Sequence, residues 1–408
     1  MPIQTPNMRQ PSRGEFIALI AALMSLNALA IDIMLPALPH MADALNVVNE
    51  NDRQLVVSAY LLGFGFTQII YGPLSDRFGR RPPLMVGLTI YIIAATAAIF
   101  SPNFVTLLIL RLAQGMGAAS TRVIAQSIVR DKFSGRAMAE IMSLVFMVFM
   151  IVPVIAPAMG QVLLFTGHWW TIFIFMGVSA ALVAAWVHYR LPETLTQENR
   201  RPLTLSVITQ GFKLVLSNRM SVAYSIATMF LLGALFGFIN SSQQVYVEIY
   251  GLGVWFPLAF AVMASVMAFS GYINSRMVKH FGMRRISHFA IIVFTTVSAL
   301  WWGLSLLGPM PLPIFFVLLS LAMFMFGWTT SNMNTIAMEP LGKVAGTASA
   351  VFGFFQTIGG ALIGLIIGRM FDGTLTPIAA GYFFVGLAAL ACVLIAEKGK
   401  LFGVGDED

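Results

Sequence analysis

Long apolar runs separated by short polar stretches make up almost the whole chain. Each run is about 20 residues long, which as a helix spans about 30 Å and is enough to cross the hydrocarbon core of a membrane. Polar and apolar residues do not alternate along these runs, so the pattern is not that of a transmembrane β-barrel. The pattern therefore predicts an all-α integral membrane protein with twelve transmembrane helices.

The chain divides into two halves joined by a polar segment. We expect an N-terminal half at 1–190, a linker at 191–218, a C-terminal half at 219–396 and a polar tail at 397–408. The helices of the first half are predicted at 16–36, 54–71, 82–100, 104–127, 137–162 and 168–189. Those of the second half are predicted near 221–245, 255–275, 286–307, 312–335, 344–371 and 377–396.

The composition and the position of the charges agree with a membrane protein. Only 10% of the residues are charged and 58% are hydrophobic, whereas about 25% are charged in soluble domains. The net charge of +7 is not evidence of a nucleic-acid partner, since nearly all Lys and Arg fall on one side of the predicted topology. The exceptions are Arg53 and Arg369 on the other side, and Arg111 and Arg122 inside helices. By the positive-inside rule, both termini and the linker are expected in the cytoplasm.

No residue pattern indicates a metal, a cofactor or a catalytic centre. The five histidines are scattered without metal-ligand spacing, and the single cysteine, Cys392, lies in the last apolar run. The sequence contains no HExxH, GxSxG or phosphate-cradling loop. An intramembrane enzyme or a receptor is therefore not supported, and we expect neither a metal nor a cofactor.

The segment 72–81, GPLSDRFGRR, lies between two predicted helices. It has the pattern Gly72-x-Leu74-x-Asp76-Arg77-x-Gly79-Arg80-Arg81. An ordinary basic turn needs the arginines but not this spacing of glycines and acid. A similar sequence, Phe281-Gly282-Met283-Arg284-Arg285, stands at the corresponding place in the second half, with Lys279 in the position of Asp76. This repetition indicates duplication followed by divergence.

These motifs resemble the major facilitator superfamily, in which a loop like 72–81 joins the second and third helices. The sequence Leu107-x-x-x-Arg111-x-x-Gln114-Gly115-x-Gly117 is similar to the family's helix 4 motif. Pro153-x-x-x-Pro157-x-x-Gly160 resembles a helix 5 motif of its antiporters, with Ala156 in place of the usual glycine. The stretches 32–39, 60–63, 243–246 and 345–349 resemble the Bcr/CflA drug-resistance branch. The resemblance covers residues 16–396 and implies the major facilitator fold, with twelve transmembrane helices in two six-helix halves.

Members of that branch are proton-coupled exporters of small antibiotics and related metabolites. The resemblance therefore implies a secondary active transporter, not an enzyme, that acts by alternating access in a bacterial inner membrane. Its expected partners are protons, membrane lipid and small neutral or zwitterionic compounds such as amphenicol-, bicyclomycin- or sulfonamide-like antibiotics, and it is expected to be a monomer. A proton-coupled symporter or facilitator that imports a small metabolite on the same fold is the alternative.

Asp32 is the only acid predicted inside the helices of the first half beyond a first turn, since Glu140 lies in the first turn of 137–162. An ionisable side chain there costs at least about 2.5 kcal/mol on insertion, so Asp32 is the candidate for proton coupling. The alternative is a structural acid at the rim of an outer vestibule. Arg111 is predicted at a similar depth and could interact with Asp32, or it could brace the bundle by binding backbone carbonyls. Arg122, about 20° away from Arg111 around helix 4, is interpreted as structural.

Three groups of residues complete the candidate sites. The predicted substrate cavity contains Arg111, Gln114, Gln68, Phe64, Asn240, Gln243, Asn332 and Gln356. The members from the second half are equally suited to hydrogen bonds between helices. The resemblance implies a gating loop formed by Gly72, Asp76, Arg77, Gly79, Arg80 and Asp131. In it, Asp76 is expected to face the inner end of helix 11 and Arg80 to pair with Asp131. Pro153, Pro157 and Gly160 form the helix 5 motif. The glycines at 360, 364 and 368 are interpreted as a packing surface rather than a dimer contact.

Overall fold

A computed structural model describes residues 11–133, 135–200, 213 and 215–403. In this part of the chain, 12 helices are long and apolar enough to cross a membrane, and no strand is present. The predicted all-α membrane fold is therefore confirmed. The chain forms two compact units, one made of Met1–Val47 with Ala59–Thr204 and the other of Val48–Ser58 with Leu205–Asp408.

The helices of the first half differ from the predicted ranges, and three of them, Leu55–Phe78, Phe104–Lys132 and Gly135–Leu164, are longer than the sequence predicts. They are α1 (Arg13–Asp32), α2 (Leu38–Ala44), α3 (Leu55–Phe78), α4 (Arg81–Ala98), α5 (Phe104–Lys132), α6 (Gly135–Leu164) and α7 (Thr171–Arg190). The predicted end of the first span at Pro36 is wrong. Pro36 and Pro39 lie in the first turns of two short helices, where the missing proline N–H removes no hydrogen bond. The first span therefore continues to Ala44.

Helix α3 runs through the break that the sequence predicts at Gly72-Pro73. A proline is tolerated in a membrane helix because hydroxyl side chains and neighbouring helices bind the backbone groups that it frees. The carbonyl that Pro73 frees belongs to Ile69. Ser75 Oγ donates a separate hydrogen bond to the Gly72 carbonyl over 2.9 Å. Helix α5 likewise continues past its predicted end at residue 127, so Asp131 lies in its last turn. The connection between α3 and α4 is therefore much shorter than the 72–81 segment.

The second half contains all six spans that the sequence predicts. They are α8 (Arg219–Gln243), α9 (Phe256–Phe281), α10 (Met283–Ser305), α11 (Leu312–Met338), α12 (Ala345–Arg369) and α13 (Thr376–Ala396). Helix α8 continues into a π-helical turn at Gln244–Ile249. The linker predicted at 191–218 is irregular over 191–200 apart from one 3-10 turn, and its residues 201–212 and 214 lie outside the described residues.

The segment 48–58 belongs to the second unit, which the sequence does not predict. Its side chains bind the C-terminal end of α12, where backbone carbonyls have no partner within the helix. The Asn51 amide donates to the Arg369 carbonyl over 3.2 Å, and the Gln54 amide donates to the Gly368 carbonyl over 3.0 Å. This segment therefore caps α12 from outside the second half of the sequence.

The glycines at 360, 364 and 368 form the packing surface that the sequence predicts. A Cβ atom added at Gly360 would lie 3.0 Å from the Leu232 side chain, and one at Gly364 would lie 2.6 Å from Phe236. Both of these partners belong to α8. The absence of side chains on this face of α12 therefore lets the two helices pack closely.

Candidate functional site

Asp32 is the last residue of α1, and 5% of it is exposed. No described residue donates a hydrogen bond to its carboxyl group or forms an ion pair with it. Burial of a carboxyl group without a partner is unfavourable mainly for its charged form, which loses the water that stabilises it. The arrangement suits a group that gains and loses a proton rather than one that holds two helices together.

An apolar pocket of about 250 Å³ lies between α1 and α6. Its lining residues are Ala22, Ser25, Leu26, Leu29, Val152, Ile155 and Met159. Ser25 and Asp32 are seven positions apart, which places them about 20° apart around the helix and about 10 Å apart along it. Asp32 therefore lies on the pocket's side of α1, one turn beyond Leu29.

The helix 5 motif lies on α6, which is the fifth membrane span. Its glycine, Gly160, sets the distance between α6 and the end of α1. A Cβ atom added at Gly160 would lie 2.1 Å from the Ile33 carbonyl oxygen, which is far inside contact distance. Pro157 is buried on the same helix, and Pro153 is half-buried. The motif therefore allows the backbone next to Asp32 to pack directly against α6.

We expect Gly160→Ala to lower the thermal stability of the purified protein by several degrees. The added methyl group forces α6 away from Ile33, and overpacking of this kind costs about 1–3 kcal/mol. The measurement is thermal unfolding in detergent. Gly303→Ala is the matched control, because a Cβ atom at this helical glycine of α10 meets nothing within 4 Å. Equal unfolding temperatures for the two variants would contradict the close contact at Gly160.

Arg111 is completely buried, and its hydrogen bonds go to groups other than Asp32. Its guanidinium donates to the Ala30 carbonyl over 2.9 Å and to Gln114 Oε1 over 2.7 Å. It also lies over the ring of Tyr60, 4.6 Å from the centroid. Arg111 therefore braces α1, α3 and α5, as the alternative interpretation of the sequence proposed, and Gln114 is its partner. No ion pair joins it to Asp32 in the described part of the chain.

A buried polar network that the sequence analysis missed extends this brace. The Asn27 amide donates to Thr121 Oγ1 over 2.8 Å and accepts a hydrogen bond from the Tyr60 hydroxyl over 3.3 Å. The only signal in the sequence is a polar amide at membrane depth. The predicted cavity residues Phe64 and Gln68 are both 5% exposed on α3.

Arg122 differs from Arg111, although the two residues lie on the same helix. Its side chain is exposed, with the guanidinium 6.0 Å from the centroid of the Phe64 ring. This contact is the only stabilising partner that the structure shows for Arg122 among the described residues. The structure therefore supports a bracing role for Arg111 and gives less support to the structural interpretation of Arg122.

The polar candidates of the second unit fall into two pairs. Asn332 and Gln356 each donate a hydrogen bond to an asparagine side chain, over 2.8 and 2.9 Å, which is the helix–helix role left open by the sequence. Asn240 and Gln243 lie near the end of α8 and keep a buried side-chain oxygen without a partner. An unpaired buried oxygen is unfavourable by about 1–3 kcal/mol, so these two amides remain the stronger candidates for binding a ligand.

Arg80 is the centre of the cluster at the α3–α4 connection. It donates two hydrogen bonds to Asp131, over 2.7 and 3.1 Å, so the predicted pair is present. Asp76 accepts a third bond from Arg80 over 2.5 Å, and its expected position facing the inner end of helix 11 stays a prediction. Burial lowers the pKa of Arg80, but the two carboxylates outweigh this and raise it above the usual range. The gating role of the loop stays a prediction, and binding and transport assays of Asp76→Asn would test it.

Glu193, which the sequence analysis missed, completes this connection. Its carboxylate accepts the backbone N–H groups of Arg80 and Arg81 over 2.8 and 3.0 Å. Gly79 has a φ of +94°, and a Cβ atom there would lie 2.6 Å from the same carboxylate. The motif glycine is therefore required by both the turn and the approach of Glu193, whereas Arg77 is exposed.

Comparisons with known proteins agree over most of the chain. The family model for the Major Facilitator Superfamily matches residues 20–364. The chain is 30% identical to a bicyclomycin resistance protein homolog from Haemophilus influenzae, with 97% of each chain covered. It is 27% identical to a chloramphenicol resistance protein from Pseudomonas aeruginosa, covering 97% of this chain and 94% of that one. The crystal structure of a D-xylose-proton symporter matches with a TM-score of 0.70 at 15% identity, covering 95% of this chain and 98% of that one, and so shares the fold.

Proposed function

The chain belongs to the major facilitator superfamily and is a membrane transporter rather than an enzyme, and on this basis we propose that it exports small neutral compounds in exchange for protons. The observation that carries the proposal is the position of Asp32, a buried carboxyl group for which the described residues provide no partner, on the side of α1 that faces an apolar pocket. Relatives named for resistance to bicyclomycin and chloramphenicol support the direction of transport.

The lining of the pocket supports a small substrate with an apolar body. Its volume of about 250 Å³ is close to the lower end of small-molecule sites, about 300 Å³. Ser25 supplies the only hydroxyl group among the residues that line it. The preference for neutral substrates rests on this apolar lining, because Arg111 is engaged with Ala30 and Gln114 and does not balance the charge of Asp32.

We assign the proton to Asp32 because its two states differ in what they require. The charged form needs water or a cation, which the apolar pocket does not provide, and the neutral form is compatible with an occluded site. Alternating access of Asp32 to the two sides of the membrane would then couple one proton to each transport cycle. The distribution of Lys and Arg supports an inner-membrane orientation with both termini in the cytoplasm, and we propose a monomer.

Transport into inverted membrane vesicles tests the direction and the coupling together. We expect radiolabelled chloramphenicol to accumulate inside vesicles that hold this protein when the lumen is acidified, and to leave when the proton gradient is collapsed. A proton symporter for import would not accumulate the compound under these conditions. Vesicles that hold Asp32→Asn protein at the same level are the control. Accumulation that persists without a gradient would contradict proton exchange.

A further inference from the structure

A continuous chain of hydrogen bonds surrounds His288, a completely buried residue of α10. Its Nε2 atom lies 2.8 Å from the hydroxyl oxygen of Tyr224 on α8. That hydroxyl donates to Glu397 Oε1 over 2.6 Å, just after the end of α13. On the other side of the imidazole, the backbone N–H of Phe402 donates to Nδ1 over 3.0 Å. These hydrogen bonds therefore join two helices to the segment that follows the last span.

The donors and acceptors in this chain determine the state of the imidazole. The Phe402 N–H can only donate, so Nδ1 of His288 carries no proton. The hydroxyl proton of Tyr224 goes to the carboxylate of Glu397, so its oxygen accepts from Nε2–H. His288 is therefore neutral, with its proton on Nε2, and every polar atom of the ring has a partner.

The segment 397–403, which we call the tail, has a backbone that needs such an anchor. Lys398, with a φ of 52°, lies in the C-terminal cap of α13, where the Gly399 N–H donates to the Leu394 carbonyl over 2.9 Å. Phe402 lies beyond that cap and has a φ of 63°, in the left-handed region that side chains disfavour. Conformations of this kind persist where surrounding contacts hold them. The Phe402 ring adds an edge contact with His288, with centroids 5.9 Å apart. The tail is therefore held at its far end mainly through one imidazole.

We propose that His288 is a pH-sensitive anchor for the tail, and that protonation of the imidazole releases it. A proton added to Nδ1 places an N–H group directly against the N–H group of Phe402, so the bond that holds the tail is replaced by a repulsive contact. The tail is then bound above the titration range of the imidazole and is released as the pH falls through it. An ordinary histidine titrates near pH 6.5.

Among the described residues, the groups that face His288 do not supply another acceptor for that proton. Tyr224 faces Nε2 and not Nδ1. Glu397 lies beyond Tyr224 and is 3.3 Å from the guanidinium of Arg284, a residue of α10 itself. Glu339, after the end of α11, lies 3.9 Å from the same guanidinium. The two acids are therefore balanced in part by Arg284, and the hydrogen bond that the structure shows at Nδ1 is the one from the Phe402 N–H.

A nitroxide spin label at the end of the tail measures its release. Gly403→Cys in a Cys392→Ser background offers one labelling site, and a side chain at Gly403 meets nothing within 4 Å. We expect the label to be less mobile at about pH 8 than at about pH 5 in purified protein, because the bound tail restricts the backbone that carries it. His288→Gln keeps a donor and an acceptor but does not titrate, so its label should have the same mobility at both pH values.

Two outcomes would overturn the proposal. The first is a label with the same mobility at both pH values in the protein that keeps His288, a result that needs only the labelled Gly403→Cys, Cys392→Ser protein to fold. The second is a release in His288→Gln protein that matches the wild type, which would assign the titration to another group such as Glu397. Glu397→Gln is expected to keep the transition. The test needs no substrate, so it stands or falls independently of the proposed export.

Discussion

Replacing Asp32 with asparagine is expected to abolish proton exchange and to leave the affinity for substrate within a few-fold of the wild-type value. Asparagine has nearly the same shape as aspartate but cannot carry a proton, and the apolar lining of the pocket is unchanged. One proton that moves down 100 mV releases about 2.3 kcal/mol, enough for a roughly 50-fold gradient of substrate. Without that proton, uphill transport has no energy source.

The deciding measurement is the proton release that follows the addition of chloramphenicol to purified protein in a weakly buffered detergent solution. Asp43→Asn is the matched control, because Asp43 is an exposed acid on the neighbouring helix α2 and should behave as wild type. Asp32 is not the coupling group if wild-type protein releases no protons. The same conclusion follows if Asp32→Asn protein releases as many as the wild type.

Arg111→Ala is expected to destabilise the fold itself, so that little folded protein remains, rather than to affect substrate binding alone. The substitution removes the donors that bind Ala30 and Gln114, and it leaves a cavity in a site that is completely buried. Cavity formation and an unpaired buried group together cost about 3 kcal/mol or more. Size-exclusion profiles and thermal unfolding in detergent measure the loss.

Arg122→Ala is the matched control for Arg111→Ala, since it removes an exposed arginine from the same helix and should keep the wild-type profile. Arg111→Lys is expected to rescue the fold only in part, because an ammonium group cannot reproduce the planar donors of a guanidinium. A well-folded Arg111→Ala protein that no longer binds chloramphenicol would contradict the bracing role and indicate that Arg111 contacts the substrate.

The part of the fold that could be predicted is the set of membrane spans, because the length of each apolar run in the sequence determines it. All twelve spans follow from apolar runs of about 20 residues, and the 12 spans of the structure confirm them. The ends of the helices do not follow from length alone. Pro36 and Pro73 look like breaks in the sequence, yet one starts a short helix and the other lies inside α3. The deciding factor is whether the backbone carbonyls that lose a donor at a proline find other partners, which depends on how the neighbouring segments pack.

The part of the candidate site that could be predicted is the part that contains a charge inside the membrane, because burial of a charge is unfavourable and indicates a function. Asp32 stands out in the sequence for that reason, and the structure places it in a buried, unpaired position. Its suggested contact with Arg111 relied on equal depth in the membrane. The rise per residue determines depth, but the rotation of each helix about its axis determines which side chains meet. That rotation is set by packing, and it directs Arg111 to Ala30 instead.

The bond between Glu193 and the α3–α4 connection has a consequence for how the protein is made. Glu193 is 113 residues beyond the Arg80 N–H group that it binds. At about 5–20 residues per second, a ribosome needs roughly 6–20 s to synthesise that interval. During this time the connection has been inserted, but two of its backbone donors have no carboxylate to bind. The first half of the protein therefore cannot complete its fold until α7 has been released from the ribosome, and the emerging chain depends on water or the insertion machinery to protect that turn.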